Sequence, residues 1–193
     1  MKLGCVLMAS GNSERFGENK LSVPFDGKLV YQRALDAIPA DRFYAVAVVT
    51  QYKEIISAAS KRGFIAVPNL KPDDGVSRTI WLGIQTLYDA SAIMFMVADQ
   101  PLLRQETVRQ LADDFVSQSE NMLALAANGR RGNPVIFPSC YFDELCALKG
   151  DSGGGAVIKK HESELRLHII NDESELADID SKQELEKLLK KRE

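Results

Sequence analysis

Glycines, hydroxyl groups and two cations are concentrated in one segment that follows the first apolar run of the chain. The segment SGNSERFGENK begins at Ser10 and carries Gly11, Arg15, Gly17 and Lys20. Glycine lets backbone N–H groups approach oxyanions closely, and the two cations can neutralise a triphosphate that releases pyrophosphate. The segment therefore indicates a phosphate-binding loop, with a flexible surface loop as the alternative.

Two better-known phosphate-binding motifs are excluded by the spacing of this segment. A P-loop has four residues between its first Gly and a Gly-Lys-Ser/Thr sequence, whereas five residues separate Gly11 from Gly17 and Lys20 precedes Leu21. The dinucleotide fingerprint requires a second glycine two positions after the first, where this chain has Ser13. We therefore expect neither a P-loop nor an NAD-binding module.

A carboxylate follows a strongly apolar run in the middle of the chain. Asp99 stands in the sequence ADQP, after the run Ile93 to Val97 and before the turn residue Pro101. Magnesium binds one or two carboxylates together with phosphate oxygens and water, so an aspartate near Lys20 could join the metal to a triphosphate. We predict Asp99 as a magnesium ligand, with capping of the next helix as the alternative.

The elements that must position these residues alternate along the chain between apolar runs and segments of helical periodicity. Strands are predicted at Leu3 to Ala9, Tyr44 to Thr50, Ile65 to Val67, Ile93 to Val97, Met122 to Ala127 and Pro134 to Phe137. Helices are predicted at Val30 to Ile38, Lys53 to Lys61, Thr79 to Tyr88, Thr107 to Val116, near Tyr141 to Leu148, and from Ser181 to Lys191. The alternation predicts an α/β fold, a Rossmann-like three-layer sandwich around a mostly parallel sheet.

Ligands of such sheets bind beyond the carboxyl ends of the strands. Chemistry is therefore expected in the segments that follow the strands, at Ser10 to Lys20, from Thr50 onward, at Pro68 to Ser77 and at Ala98 to Leu103. The runs Val46 to Val49 and Ile93 to Val97 are almost continuously apolar, which predicts positions in the middle of the sheet. Asp99 and the glycine-containing loop should consequently meet at one edge of the sheet.

Composition limits the class of protein. The chain has 193 residues, of which 45% are hydrophobic, and this fits one globular domain over residues 1–193. Its formal charge is −3 with no basic stripe, so we expect no nucleic-acid partner, and no apolar run approaches the ~20 residues of a membrane span. A cytoplasmic location is expected. Cys5, Cys140 and Cys146 lack metal-ligand spacing and are expected to be reduced, structural thiols.

The run LMASGNSERFGENKL, which begins at Leu7, resembles the opening signature of a known superfamily. These are the nucleotidyltransferases typified by molybdenum cofactor cytidylyl- and guanylyltransferases, with Leu-x-Ala-(Ala/Ser)-Gly, then Ser-x-Arg-(Met/Phe)-Gly, then Lys-Leu. The resemblance implies a fold of the nucleotide-diphospho-sugar transferase type, a glycine loop over the triphosphate and base, and two cations on the phosphates. In this chain those roles fall on Ala9, Ser10, Gly11, Arg15 and Lys20.

The resemblance also covers the two carboxylate segments. Members of the family place Gly/Ala-Asp-x-Pro after the corresponding strand and bind magnesium through that aspartate, which is Asp99 here. The late run ADIDSKQELEKL is similar to their closing Asp-Ile-Asp-Thr-Pro-Glu-Asp-Leu element and implies Asp180 as the second metal ligand, with Asp178 as the second choice. Capping of the closing helix is the alternative role for Asp180. Gln100 matches the cytidylyl branch of the family.

The segment DGVSRTIWLGI is similar to the family element Gly-x-Ser-x-Ser-Leu-x-x-Gly-Leu, which contacts the base and ribose. The resemblance implies nucleotide-binding roles for Gly75, Ser77 and Thr79, with ordinary helix capping as the alternative. Trp81, in the same segment, is expected in the core.

Two later segments, RRGNPVIFP and KGDSGGGAVIKK, resemble elements that the molybdopterin enzymes use for the acceptor. The chain departs from them at Asn133, where the family usually has His, and at Gly155, where it often has Arg. A phosphate of the acceptor would then need another partner, namely Arg130, Arg131 or the N–H groups of residues 153–155.

The sequence as a whole predicts a magnesium-dependent nucleotidyltransferase that moves CMP from CTP to molybdopterin, with Lys20, Arg15 and Asp99 as catalytic residues. The acceptor phosphate is already ionised, so no general base is needed, and His161 and His168 lie outside the strand-end loops. A molybdoenzyme is the expected recipient of the cytosine dinucleotide cofactor. The alternatives are GTP as donor, a sugar or alditol phosphate as acceptor, and a carrier module without catalysis.

Overall fold

The computed structural model describes residues 1–190, which fold around a seven-stranded sheet. The strands are β1 (Leu3–Ala9), β2 (Pro24–Phe25), β3 (Lys28–Leu29), β4 (Ala45–Thr50), β5 (Ile65–Pro68), β6 (Ala92–Val97), β7 (Met122–Ala127), β8 (Arg130–Pro138) and β9 (Leu165–Ile169). The helices are α1 (Val30–Asp36), α2 (Lys53–Lys61), α3 (Val76–Thr86), α4 (Gln105–Ser117), α5 (Phe142–Cys146), α6 (Gly155–Lys160) and α7 (Lys182–Lys190). The sheet order is β5-β4-β1-β6-β8-β7-β9, and β2 pairs with β3 in a separate hairpin.

The sheet is mostly parallel. Within the seven strands, β8 alone runs against its neighbours, β6 and β7. Because of this reversal, the amino-terminal end of β8 lies at the same edge as the carboxyl ends of β1, β4 and β6. The predicted Rossmann-like sandwich is confirmed, with β6 in the middle of the sheet and β4 one position from its edge.

Helices cover both faces of the sheet because side chains alternate along each strand. Leu7 of β1 is buried in the cluster that includes residues of α1, α2 and α4, whereas Val6 is buried in the cluster that includes residues of α3, α5 and α6. Gly83 allows α3 to approach β1 closely, since a Cβ added there would lie 2.7 Å from Val6 Cγ1. This approach brings the amino-terminal end of α3 beside the carboxyl end of β1.

Several predicted boundaries are correct and others are wrong. β1, β7 and α2 begin and end where predicted, whereas β9, α6 and the β2–β3 hairpin were not predicted. The predicted end of the closing helix, Lys191, lies outside the described residues. The core position predicted for Trp81 is wrong, because α3 turns Ile80 and Ile84 toward the sheet and leaves Trp81 40% exposed.

The chain returns to the site edge of the sheet after β9. We call residues 171–180 the C-terminal strap. Near its start, the N–H of Ile170 donates to the carbonyl of Ala126 at the end of β7, and near its end the N–H of Ile179 donates to the carbonyl of Asp99 at 3.0 Å. The strap thereby joins the segment after β6 to the start of α7.

Across residues 1–190, no helix combines the length and the apolar character that crossing a membrane requires.

Candidate active site

A cleft of about 430 Å³ opens at the carboxyl ends of β1 and β6. Its walls come from the loop after β1, the first turn of α3, the end of β6 and the end of the C-terminal strap. Most of the predicted site residues line it, namely Ala9, Ser10, Gly11, Arg15, Lys20, Gly75, Thr79, Asp99 and Asp180. Ser77 does not line the cleft, and neither does Asp178.

The loop after β1 is fixed by the residues that follow β4. Three consecutive side chains donate to three consecutive carbonyl oxygens at 2.8, 2.9 and 2.7 Å: Thr50 to Ala9, Gln51 to Ser10 and Tyr52 to Gly11. These bonds attach the beginning of the loop to the neighbouring strand end through its carbonyl groups. Gln51 and Tyr52 were not singled out from the sequence, although they fall in a segment where chemistry was expected.

Lys20 lies between the two aspartates that were predicted as metal ligands. Its Nζ is 2.7 Å from Asp99 Oδ2 and 2.8 Å from Asp180 Oδ1, and Arg15 approaches the second oxygen of Asp180 at 3.5 Å. The Lys20 side chain is 14% exposed, whereas that of Arg15 is 82% exposed. The structure therefore brings together three widely separated parts of the sequence, namely the loop that carries Arg15 and Lys20, Asp99 and Asp180.

The charged side chains of this group shift one another's pKa values. Burial of Lys20 disfavours its charge, but the nearby carboxylates of Asp99 and Asp180 outweigh burial and raise the pKa of Lys20. The hydrogen bond from Lys20 lowers the pKa of Asp180. The pKa of Asp178 is raised, first by its removal from water and then by the charges of Asp99 and Asp180, so its carboxyl group is electrostatically close to both.

Neither aspartate serves as the helix cap that was the alternative role. The N–H of Glu184, in the first turn of α7, donates to Ser181 Oγ at 3.3 Å, which leaves the carboxylate of Asp180 directed at Lys20. The N-cap of α4 is Arg104, five residues beyond Asp99. Both carboxylates consequently contact Lys20 at the cleft rather than the end of a helix.

The two oxygens that contact Lys20 Nζ lie close to each other. They are at most 5.5 Å apart, the sum of their distances to the common nitrogen. Ligand oxygens on an octahedral magnesium ion lie about 3 to 4 Å apart, so the two oxygens would have to approach each other by at most about 2.5 Å to share one ion. Residues 1–190 contain no group of three or more His, Cys, Asp and Glu that could hold a metal ion. The remaining ligands would then come from phosphate oxygens and water.

The first turn of α3 is shaped by a contact between two glycine-containing loops. Gly75 is the N-cap with φ of 83°, and a Cβ added there would lie 2.2 Å from the carbonyl carbon of Gly150. The N–H of Ser77 donates to the carbonyl of Gly150 at 3.1 Å, so this loop takes the place of a side-chain cap. Asp151 is thereby held at the cleft, a position that the sequence did not indicate.

The sequence GDSGG from Gly150 to Gly154 has the spacing of the serine-hydrolase motif Gly-x-Ser-x-Gly. It lies in the connection between α5 and α6, whereas the nucleophile elbow of those enzymes joins a strand to a helix. The match in spacing therefore carries no hydrolase site.

A buried amide supports the other side of this turn. Asn69, which follows β5 and is 2% exposed, lies with its Nδ2 3.5 Å from the hydroxyl of Thr79, and its Oδ1 accepts from Arg78 Nε at 3.2 Å. Asn69 was not singled out from the sequence, because one Asn after a short strand carries no recognisable spacing. It contacts the hydroxyl of Thr79, a residue that lines the cleft.

The predicted acceptor segments meet next to the cleft. A pocket of about 50 Å³ is lined by Asn133, Gly154 and Gly155, and it shares Met8 with the cleft. A Cβ added at Gly155 would have Arg131 Nη2 at 4.0 Å, so a side chain at position 155 would project toward that guanidinium. The exposed side chain of Arg131 has no hydrogen bond or ion pair with another described residue.

Gln100 does not take part in the cleft. Its side chain is 4% exposed, and its Nε2 donates to the carbonyl of Leu176 in the C-terminal strap at 3.2 Å. Its hydrogen bond therefore goes to the strap, and Gln100 does not face the cleft.

Comparison with known proteins agrees with this geometry. The family described as MobA-like NTP transferase domain matches residues 5–165. The Purine catabolism protein PucB of Bacillus subtilis (strain 168) is 25% identical over 191 residues, which cover 93% of this chain and 92% of PucB.

Solved structures share the fold over nearly the whole chain. Rv0371C of Mycobacterium tuberculosis H37Rv, in complex with manganese, superposes with a TM-score of 0.77 at 19% identity, covering 98% of this chain and 99% of that chain. Molybdopterin-guanine dinucleotide biosynthesis protein A of Archaeoglobus fulgidus gives a TM-score of 0.73 at 13% identity and covers 98% of both chains. The predicted fold of the nucleotide-diphospho-sugar transferase type is thus confirmed.

Proposed function

This chain belongs to the MobA-like NTP transferase domain family, and from that premise we propose that it transfers CMP from CTP to the phosphate of molybdopterin. The coarser statement, that the protein is a nucleotidyltransferase of the MobA-like type, follows from the family match over residues 5–165. A phosphate oxygen of the acceptor would attack the α-phosphorus, and the bond to the leaving pyrophosphate would break. The products are a cytosine dinucleotide cofactor and pyrophosphate.

The observation that carries the proposal is the position of Lys20 between Asp99 and Asp180 in the cleft. Carboxylates whose oxygens both contact one cation form a donor set for a divalent metal, and the similar Rv0371C structure contains manganese. We propose that Asp99 and Asp180 hold magnesium. When bound, the metal would supply neutralisation of the charge that develops on the phosphate oxygens.

The cations of the first loop supply the rest of the stabilisation. We propose that Lys20 turns from the two carboxylates toward the triphosphate, and that Arg15, which is 82% exposed, closes over it from the rim. Both would favour the leaving pyrophosphate electrostatically, while Gly75, Thr79 and the loop from Ala9 to Gly11 orient the nucleotide. No side chain has to remove a proton, because the attacking phosphate is ionised at neutral pH.

We propose that the acceptor binds beside the cleft, against the small pocket that the predicted acceptor segments line. Asn133 and the glycines at 154 and 155 line that pocket, and the guanidinium of Arg131, which has no partner among the described residues, lies next to Gly155. We propose that Arg131 binds the anionic group of the acceptor in place of the arginine that the resembled family often has at the position of Gly155. The likeness to a molybdopterin-guanine dinucleotide biosynthesis protein supports a pterin acceptor.

The same likeness makes GTP the second candidate as donor. The side chain of Gln100 is buried away from the cleft, so the base has to be selected by residues of the first loop and of α3. A carrier that binds the finished dinucleotide without catalysis would use the same cleft. Pyrophosphate release separates the carrier from the enzyme.

The first experiment measures pyrophosphate release from CTP, GTP, ATP and UTP, with molybdopterin and magnesium. CTP-selective release is expected. Release with GTP alone would refute the base assignment, and binding of CTP without release would refute the enzymatic assignment.

The metal assignment predicts that Asp99→Asn lowers turnover at least about a hundredfold while the protein stays folded, because a side chain of similar size replaces a charged ligand. Asp113→Asn, which breaks an ion pair of α4 with Arg42 away from the cleft, is the matched control and should keep normal turnover. Equal turnover of the two variants would refute the metal assignment. Circular dichroism checks that both are folded.

The acceptor assignment predicts that Arg131→Gln raises KM for molybdopterin about tenfold or more and leaves KM for CTP unchanged. Arg130→Gln, at the neighbouring exposed position, tests the other arginine that the sequence offers for this role, and an effect confined to Arg131→Gln is expected. The double variant Arg131→Gln/Gly155→Arg returns the guanidinium to the same space from α6, so it should recover part of the affinity. An unchanged KM for molybdopterin in Arg131→Gln would rule out the assignment.

A further inference from the structure

The C-terminal strap is anchored by a pair of charged residues that the cleft does not contain. Both carboxylate oxygens of Glu175 are engaged by Arg104, because Oε2 accepts from the backbone N–H at 3.0 Å and Oε1 accepts from Nε at 2.9 Å and also from Nη2. Arg104 is the N-cap of α4, so the pair joins the strap to the element that follows Asp99. The pair lies at the beginning of α4.

The contact between the two segments requires removal of one charged group from water. The side chain of Glu175 is 1% exposed, whereas that of Arg104 is 62% exposed. Removal of the Glu175 carboxylate from water is unfavourable, and its hydrogen bonds to Arg104 offset that cost. Those bonds also fix the relative position of the two segments, because each requires a defined geometry of donor and acceptor.

A second hydrogen bond to the strap also involves a buried polar side chain. Gln100 Nε2 donates to the carbonyl of Leu176 at 3.2 Å, while Gln100 Oε1 is buried without a hydrogen-bond partner among the described residues. Buried polar atoms in proteins are nearly always paired, so this orphaned oxygen is a cost that accompanies the bond to the strap. Gln100 and Arg104 therefore both attach the segment after Asp99 to the strap at adjacent positions, 175 and 176.

These attachments lie a short distance from the second carboxylate of the cleft. Asp180 is five residues after Glu175, and the intervening Ile179 donates its N–H to the carbonyl of Asp99 at 3.0 Å. A slip of the strap along α4 would therefore move Asp180 relative to Asp99. It would also move Asp180 away from Lys20, to which Asp180 is bonded at 2.8 Å.

We propose that Glu175 and Arg104 are positioning residues that set the spacing of Asp99 and Asp180 and so determine the affinity of the cleft for a divalent metal. The inference rests on the proposed function, since it takes these two aspartates as the metal ligands. Partners that orient metal ligands usually change metal affinity or activity by about 10-fold to 100-fold when they are altered. The strap thus belongs to the metal site although neither residue of the pair reaches the metal.

The test measures metal binding without turnover. Binding of Mn²⁺ is followed by electron paramagnetic resonance in the presence of CTP and without acceptor, for the wild-type chain, Glu175→Gln and Arg104→Lys. Asp41→Asn is the matched control, because it breaks another ion pair of α4, with Arg109 at 2.7 Å, on a different part of the helix. Urea unfolding of each variant measures stability separately.

We expect Glu175→Gln to weaken Mn²⁺ binding about tenfold or more, Arg104→Lys to weaken it less because the charge is kept, and Asp41→Asn to leave it unchanged. Unchanged Mn²⁺ affinity together with lower stability in Glu175→Gln would overturn the inference and leave the pair a structural one. If Glu175→Gln does not fold, Arg104→Lys decides in the same way, since its altered side chain is largely exposed.

Asp99→Asn separates this inference from the proposed function. If Asp99→Asn abolishes Mn²⁺ binding while Glu175→Gln does not change it, the metal site stands and only the positioning role fails. If Asp99→Asn itself binds Mn²⁺ normally, the metal site of the proposed function is wrong, and the positioning role fails with it.

Discussion

Replacement of Lys20 by methionine tests whether the ammonium group of Lys20 offsets the electrostatic repulsion between Asp99 and Asp180. The ammonium contacts Asp99 Oδ2 at 2.7 Å and Asp180 Oδ1 at 2.8 Å, and these oxygens are therefore at most 5.5 Å apart. Methionine keeps the length of the stem and removes the charge. The two carboxylates of Lys20→Met then face each other without a cation between them.

The geometry gives the size of the effect. Two unit charges 5.5 Å apart repel by about 3 kcal/mol at an effective dielectric constant of about 20. The side chain of Asp180 is 39% exposed, and solvent screening reduces the repulsion to about 1 to 2 kcal/mol. For a chain of this size, that range corresponds to a fall of roughly 2 to 8 °C in Tm.

The assay is thermal unfolding at pH 7.5 with EDTA and without nucleotide, on a double-mutant cycle. Asp99→Asn should lower Tm in the wild-type background, because it removes a partner of Lys20. The same change should raise Tm in the Lys20→Met background, because it removes one of two repelling charges. A double variant less stable than Lys20→Met would refute the reasoning from repulsion, since the sign of the second change would not depend on the ammonium.

Two further predictions concern the loops around the cleft. Gly75→Ala should destabilise the protein and weaken nucleotide binding, because the added Cβ would lie 2.2 Å from the carbonyl carbon of Gly150 and the φ of 83° disfavours alanine. Gly11→Ala is the stability control, since a Cβ there has no atom within 4 Å; urea midpoints that fall equally for both variants would contradict the steric argument. The hydrogen bond to Glu144 raises the pKa of His161, so its contribution to stability is complete below about pH 6.5 and is lost as the pH rises through the folded-state pKa. His161→Gln should therefore lose less stability than the wild type between pH 6 and pH 9 in urea titrations, and identical pH profiles would exclude this linkage.

The elements that carry a periodic signal could be predicted from the sequence. β1 is a continuous apolar run and α2 has helical spacing, and both begin and end where that pattern does. Asp99 and Lys20 could be assigned to one edge because each lies in a segment that follows a predicted strand of a mostly parallel sheet. Their contact at 2.7 Å was not predictable, since it depends on how far the loop after β1 folds back.

The elements without such a signal required the structure. β9 has the sequence LRLHI and lies at the edge of the sheet, where Leu167 and Ile169 are 48% and 63% exposed, so its apolar residues resemble those of a surface segment. The element around Ser77 predicts a nucleotide-binding role for this residue, whereas in the structure Ser77 does not line the cleft and its N–H donates to the carbonyl of Gly150. Spacing in the sequence gives the loop to which a residue belongs and does not give the contacts that the residue makes.

The charges of the cleft explain why one lysine has to serve two sets of partners. Lys20 and Arg15 balance Asp99 and Asp180, so the cleft without ligands carries no net charge from these four side chains. A nucleoside triphosphate brings more negative charge than one divalent ion neutralises. In the proposed function, the ion binds the carboxylates of Asp99 and Asp180. Lys20 and Arg15 can then bind the phosphates, so the net charge of the site with metal and nucleotide stays close to zero. Metal and triphosphate should consequently bind with positive cooperativity. The metal would separate the aspartates from Lys20, which could then bind the phosphates, and a triphosphate bound by Lys20 would in the same way leave the aspartates to the metal.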